Sequence, residues 1–326
     1  MRKEYIYLDW NVIQYAKNPR QGRMDETLAP LIKRLSKKYR IPYSEAHLRD
    51  LASGFSDKTR KYVYDDLEFL PDITKSDAIV FLRNEQNGQD SIGIQPRNCK
   101  EDFASILSEI KNEENIDIKF FPSGGVGFSV DISMLDQEDV FLESLKNNNG
   151  ELNSSVISQV LQELWDNQNN PDFYKRFRRQ VQKVVEHLEA RPNTLINEST
   201  TARSELAQFF KYLSLEKEEE IEEIFLPALA AFAKLSGRDF ERLSTGEKMD
   251  LAYSLLDFQP IFSEKVNKKN RPSNQLRDLK HFLSAANARI FVTEDAGSLG
   301  KSRLVIRALG MRVKALNVSE FIARFS

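Results

Sequence analysis

The chain has 326 residues, of which 40% are hydrophobic and 29% charged, the balance of an ordinary water-facing globular protein long enough for two domains. A net charge of −2 carries no global signature of nucleic-acid binding, so any such surface must be local. The single Cys99 excludes an internal disulfide framework and a cysteine zinc site, three histidines argue against a multi-histidine metal centre, and no apolar run approaches membrane-spanning length.

In chain order, Tyr5–Leu8 is predicted as a strand that delivers Asp9 and Asn11 at its carboxyl end. A short helix follows over Asn11–Lys17, then a loop over 18–23 with Pro19 and Gly22. Leu28, Leu31, Ile32, Leu35 and Tyr39 have helical spacing. Ile41–Tyr43 is predicted as a second strand, weakened by Pro42, which removes a ladder donor. Ser44 then caps a helix over Glu45–Ser53, with Glu45 on its first turn and Gly54 as its stop. His47 falls on a different side of that helix from Glu45 and is read as structural.

Residues 56–271 are read as a mostly helical insertion. Helices are expected at Thr59–Leu70, Lys100–Lys111, Gln137–Lys146, Ser154–Asp166, Asp172–Ala190 and Thr201–Leu213. IDIKFF and GFSVDI flank a turn containing Pro122, Gly124 and Gly125, the pattern of a hairpin. Loops rich in Asn, Gln, Gly and Ser are expected at Asn84–Arg97 and Asn147–Asn153. In FYKRFRRQVQKVV, Phe173, Phe177, Val181 and Val184 follow a core stripe, which leaves Lys175, Arg176, Arg178, Arg179 and Lys183 on solvated faces. Ser244 with Glu247 suggests a capping box for a helix running to Phe258.

The most informative stretch is Asn274 to Asp295, NQLRDLKHFLSAANARIFVTED. Leu276, Leu279, Leu283 and Ala286 share one helical stripe; Asn274, Asp278 and His281 share another; Arg277, Lys280 and Ser284 form a third, suited to solvent. Arg289–Thr293 then reads as a buried strand that places Thr293, Glu294 and Asp295 at its carboxyl end, where open α/β sheets bind ligands. A helix ended by Gly310, a strand over Met311–Leu316 and a final helix capped by Asn317 and Glu320 close the chain. Taken alone, the stretch also fits a satisfied polar patch beside a core helix.

The order Asp9, Glu45, Asp278, Asp295 and its context resemble the PIN-domain nucleases. The resemblance is to a branch with an N-x-x-x-D-x-x-H helix followed by F-V-T-x-D, here Asn274, Asp278, His281, Phe291, Val292, Thr293 and Asp295. It covers roughly the first and last 55 residues. It implies an α/β fold: a PIN-like parallel sheet flanked by helices, built from residues 1–55 and 272–326 and interrupted by the large, mostly α-helical insertion. It also implies a metal-dependent endoribonuclease in which Asp9, Glu45, Asp278 and Asp295 hold Mg²⁺ or Mn²⁺, the hard cations that oxygen ligands suit. Asn11 would orient a metal-bound water, and His281 would contact the scissile phosphate or hold Asp278. Lys265, Lys268, Lys269 and Arg271, entering the Asp278 helix, would track a phosphate backbone. RNA is the expected substrate, with DNA the other candidate. The insertion would serve substrate choice, a regulatory protein partner or homo-oligomerisation, and such folds often act as toxins or defence effectors. A cytoplasmic location is expected, since MRKEYIYLDW lacks a signal-peptide core. Two other readings are a non-catalytic RNA- or protein-binding module retaining the fold, and a phosphoacceptor switch, for which no suitably placed lysine speaks.

Overall fold

Two neighbouring strands are buried along their whole length and anchor everything else. The computed structural model describes residues 4–83, 90–112, 129–131, 151–153, 162–163, 167, 170–190, 200–259, 261–262 and 272–326. Strand β1 (Ile6–Leu8) pairs in parallel with β6 (Ile290–Val292), which pairs in parallel with β7 (Lys314–Leu316). The register sets Tyr7 opposite Phe291 and Leu8 opposite Val292. Continuous apolar runs without alternation are what a parallel strand covered on both faces requires.

The faces separate by the two-residue period of a strand. Ile6, Leu8, Ile290 and Val292 join one core with Val12, Leu31, Leu48, Leu67 and Phe103, which come from helices α1 (Trp10–Lys17), α2 (Leu28–Leu35), α3 (Glu45–Ser53), α4 (Arg60–Thr74) and α5 (Cys99–Asn112). Tyr7 and Phe291 face the other way. Their rings lie 6.0 Å apart, and Phe291 meets Phe282 at 6.1 Å. Phe282 belongs to α10 (Pro272–Ser284), whose end is tied to the neighbourhood of β1 by Tyr5, its hydroxyl donating to the Ser284 carbonyl at 2.8 Å.

The predicted second strand contracts to two single bridges, Tyr5 with Arg40 and Tyr43 with Ala78. Pro42 lies between them and can donate to neither side. Across these bridges the parallel sheet is continued by an antiparallel hairpin, β2 (Asp77–Arg83) with β3 (Asp90–Pro96). The stretch 90–96 is therefore a strand and not the expected loop. Arg40 fastens it, with Nε 2.7 Å from Asp77 and Nη1 3.1 Å from the Ile94 carbonyl.

Domain organisation also differs at one boundary. The first compact unit comprises residues 1–116, 244–246 and 271–326. It extends past residue 55 because Val63, Leu67, Leu70 and Ile73 of α4 and Phe103 and Ile106 of α5 pack into the same core as β1. The last segment of this unit begins at residue 271. The second unit, 117–243 and 247–270, contains β4 (Ser129–Asp131) and β5 (Glu151–Asn153), paired antiparallel, and helices α6 (Pro171–Ala190), α7 (Thr200–Ser214), α8 (Glu218–Leu235) and most of α9 (Thr245–Asp257). Strand 129–131 thus pairs with 151–153, inside a stretch expected as loop; its expected partner, 116–121, and helix 137–146 lie outside the described residues. Phe173, Phe177, Val181 and Val184 are buried while Arg176, Arg179 and Lys183 are exposed, as the periodicity of that helix requires.

Helix α11 (Ala296–Ala308) and helix α12 (Val318–Phe325) complete the first unit, the latter opened by an Asn317–Glu320 capping box. Phe291 is completely buried between Tyr7 and Phe282. Phe291→Ala is expected to destabilise the first unit by about 3–5 kcal/mol, the usual cost of emptying a buried aromatic site, as measured by denaturant unfolding.

Candidate active site

From β1 the chain first builds the sheet toward Arg40–Tyr43 and β2, then returns to lay β6 and β7 on the other side. The reversal lies between β1 and β6, and in an open α/β sheet the crevice outside the carboxyl ends at such a point binds ligands. Asp9 and Thr293 occupy those two ends.

Asp9 is 6% exposed and caps α1. Its Oδ1 accepts the Trp10 N–H at 2.6 Å, its Oδ2 accepts the Thr293 hydroxyl at 2.8 Å, and its own N–H donates to the Val292 carbonyl at 2.8 Å. The backbone around the switch point is therefore closed by hydrogen bonds while the carboxylate faces outward from the sheet edge.

His281 reaches this carboxylate from α10. Its Nε2 lies 3.5 Å from Asp9 Oδ1 and 2.8 Å from Asp50 Oδ2, and Asp50 comes from α3. The donor atoms of Asp9, Asp50 and His281 lie within 4.8 Å of one another, close enough to hold one metal ion. Arg277, one turn before His281, brings its Nε to 3.6 Å from Asp50 Oδ1.

Behind the cluster runs a chain of hydrogen bonds. His281 Nδ1 meets the Tyr7 hydroxyl at 2.8 Å, Tyr7 meets the Ser44 hydroxyl at 2.6 Å, and Ser44 meets His47 Nδ1 at 3.3 Å. His47 Nδ1 also accepts the Ser44 N–H at 3.0 Å, which leaves Nε2 to donate to the Leu8 carbonyl at 2.8 Å. That assignment makes His47 a neutral imidazole and the third residue of the α3 capping box, the structural role its side of the helix indicated.

The two histidines are driven apart by their surroundings. Burial and the charge of His281 push His47 down to about 3. Burial acts on His281 in the same direction but is outweighed by Asp9, Asp50 and Asp278, which raise it to about 9. Burial also opposes ionisation of both acids. For Asp9 it prevails and raises the carboxyl above its ordinary range, against His281 and Thr293. For Asp50 the His281 hydrogen bond and charge, with Arg277, prevail and hold the carboxyl below that range.

Of the acids singled out in the sequence, Asp9 stands at the centre, but Glu45, Asp278 and Asp295 do not join the group of donor atoms. Glu45 is about half exposed and pairs with Arg49 and, at 3.2 Å, with Lys280. Asp295 caps α11, its Oδ1 accepting the Ser298 N–H at 2.7 Å. Asp278 acts on His281 through its charge. Asn11 is exposed on α1. Of the stripe Arg277, Lys280, Ser284, Ser284 is 2% exposed and Arg277 turns toward Asp50 of α3, whereas Lys280 stays open to solvent beside Glu45. Lys265, Lys268, Lys269 and Arg271 and the side chain of Asn274 lie outside the described residues.

Asp50 escaped the sequence reading although a signal existed. On a helix, five residues separate Glu45 and Asp50 by about 140°, whereas Asp50 lies only about 60° from His47. A core-facing His47 therefore turns Asp50 toward the site and Glu45 away from it.

The chain matches no protein family, no curated protein and no solved structure. Among the described residues, no helix is long and apolar enough to cross a membrane.

Two carboxylates and an imidazole nitrogen fit a single divalent ion completed by waters, and the nitrogen suits Mn²⁺ better than Mg²⁺. They are not the four-carboxylate set expected from the sequence, of which only Asp9 takes part. Without a cation, His281 takes the neutralising role. Its pKa is higher in the folded state than the ordinary 6.5, so its stabilising contribution is full below about 6.5 and is lost as pH rises through about 9. Metal-free protein should accordingly lose thermal stability across that window. His281→Asn should start from lower stability and show a flattened profile there. Parallel profiles in the two proteins would contradict the assigned charge.

Proposed function

We propose that the protein is a metal-dependent phosphodiesterase acting on nucleic acid, an endoribonuclease in the sense its resemblance to the PIN-domain nucleases implies. The observation that carries this reading is the convergence of Asp9, Asp50 and His281 at the carboxyl ends of β1 and β6. Asp9, Asp50 and the His281 ring would hold the ion, Mn²⁺ or Mg²⁺. When bound, such an ion lowers the pKa of water and stabilises charge on a phosphate.

The chain's own residues supply the rest. Trp10 N–H and the Thr293 hydroxyl fix both oxygens of Asp9, so its direction does not depend on a ligand. Tyr7 locks the far side of His281, so its Nε2 stays aimed at Asp50 in the ion-free site and would stay aimed at an ion held there. Arg277 and Lys280 line the same face of α10 and offer positive charge to a phosphate entering beside the carboxylates. Sequence preference is not part of the proposal.

One observation favours a second reading. The His281–Asp50 pair already satisfies both groups without a metal, as a purely structural polar network in a binding module would.

The two readings diverge in a cleavage assay on mixed RNA with Mn²⁺. Asp9→Asn and Asp50→Asn should each reduce cleavage by more than about 100-fold, beyond the usual effect of losing an outer-shell partner. Glu45→Gln should stay within a few-fold of the wild type. If Glu45→Gln abolishes cleavage and Asp50→Asn does not, the ligand assignment fails. If the wild-type protein cleaves neither RNA nor DNA, the binding-module reading replaces the enzyme.

A further inference from the structure

At the opposite end of the sheet lies a second cleft, of about 670 Å³, formed entirely within the first unit. Its wall includes Arg289 at the amino end of β6, Arg312 and Lys314 at the amino end of β7, and Arg324 in the last turn of α12, with Glu4 as the one acid. Glu4 is engaged by Arg289, Oε2 to Nη1 at 2.7 Å. Arg312, Lys314 and Arg324 are exposed and form no ion pair among the described residues. Four cations against one acid leave a local surplus of three positive charges on a chain whose net charge is −2.

Arg324 lies in the last turn of α12, where a cation complements the helix dipole, but the surplus of charge exceeds what that role requires. The three unpaired cations neither cap a buried carbonyl nor neutralise an acid, and their neighbours Val313 and Ala315 supply the packing of the β7 segment. A cleft of this volume is in the range of ligand sites. Its cations are mostly arginines, whose planar forks match phosphate oxygens. The remaining wall combines Ala286, Ala288, Ile290 and Leu309 with the polar Thr245 and Asn287, and contributes no ring on which a base would stack. Such a lining suits phosphates better than bases.

We propose that this cleft binds the phosphodiester backbone of single-stranded RNA as an anchoring site separate from the Asp9 cluster. The proposal rests on the reading of the protein as acting on nucleic acid, and it adds where a second part of the same strand is held. Arg289 and Thr293 are four residues apart along one strand, a separation of about 13 Å. The anchor and the candidate catalytic edge therefore face opposite ends of the sheet. Long RNA reaches both, and a short oligonucleotide reaches one. The grip is independent of sequence, because phosphate contacts carry none.

The test is a salt titration of binding to a long unstructured RNA in EDTA, where nothing is cut, comparing the wild-type protein with R312Q/K314Q/R324Q. Exposed, unpaired side chains are replaced, so the melting temperature should hold or rise slightly. Three lost phosphate contacts should reduce the slope of log affinity against log salt by about 2, at about 0.7 per contact for a single strand. The loss should be equal for RNAs of different sequence. With Mn²⁺ restored, cleavage of a short oligonucleotide should be unchanged while cleavage of long RNA at limiting concentration falls. An unchanged slope, or no RNA binding by the wild-type protein, overturns the proposal. Displacement of the RNA by micromolar ATP or pyrophosphate from the wild type, but not from the variant, would assign the cleft to small phosphate ligands and would also overturn it. Because binding is read without metal, failure here leaves the cleavage assay free to succeed, and the converse holds too.

Discussion

The structure turns on a buried carboxylate that must be kept charged or neutral at the end of a buried strand. Asp9 cannot retreat into water, because β1 is covered on both faces and α1 begins at the next residue. An unpaired ion at such a depth is costly, and removing one partner of a buried pair typically costs about 3–5 kcal/mol. The fold answers from three separate elements: the helix N-terminus gives Trp10 N–H, β6 gives Thr293, and α10 gives His281. The Thr293 and His281 contacts also join distant parts of the chain. Residues separated by more than 270 positions in sequence are held against one another by the requirements of one side chain, so the site and the closure of the domain across its insertion are the same piece of chemistry.

The same arrangement explains why Asp50 and His281 behave as a pair. Tyr7 stands behind His281, and Ser44 and His47 stand behind Tyr7, so the ring has little freedom to turn. His47, held neutral, leaves His281 as the one positive imidazole in the cluster. A site preorganised in this way suits a divalent cation, since its ligands need not be gathered at the moment of binding. At the far end of the sheet, unpaired cations mark a surface of opposite electrostatic character. A phosphate polymer held at both ends would meet fixed positive charge away from the acids.

Much of this was legible in the sequence, and the misses have identifiable causes. The unbroken apolar runs of β1 and β6, the Ser44 and Asn317 caps and the helix carrying His281 follow from local periodicity, which the tertiary structure had no reason to override. The strand at 90–96 was hidden by its polar neighbours and Gly93, because an edge strand needs little apolar surface of its own. The strand expected at 41–43 was real in direction but short of donors at Pro42. At the site, Asp9 and His281 could be named because their strand and helix were clear. Glu45 lies nearer the strand end in sequence, but the helical angle turns Asp50, and not Glu45, toward Asp9 and His281. Arg277 and Ser284 turn away from solvent because the packing of α10 is a long-range fact that spacing within one helix does not contain, while Lys280 stays exposed as that spacing suggests.

The central claim is that Asp9, Asp50 and His281 form one divalent-cation site. Crystals of the protein soaked in Mn²⁺, with anomalous diffraction collected at the manganese edge, test it most directly. The account predicts one strong peak within bonding distance of Asp9, Asp50 and His281 Nε2. A peak held instead by Glu45, Asp278 and Asp295, or no peak near Asp9 at manganese concentrations that occupy other surface acids, would contradict it.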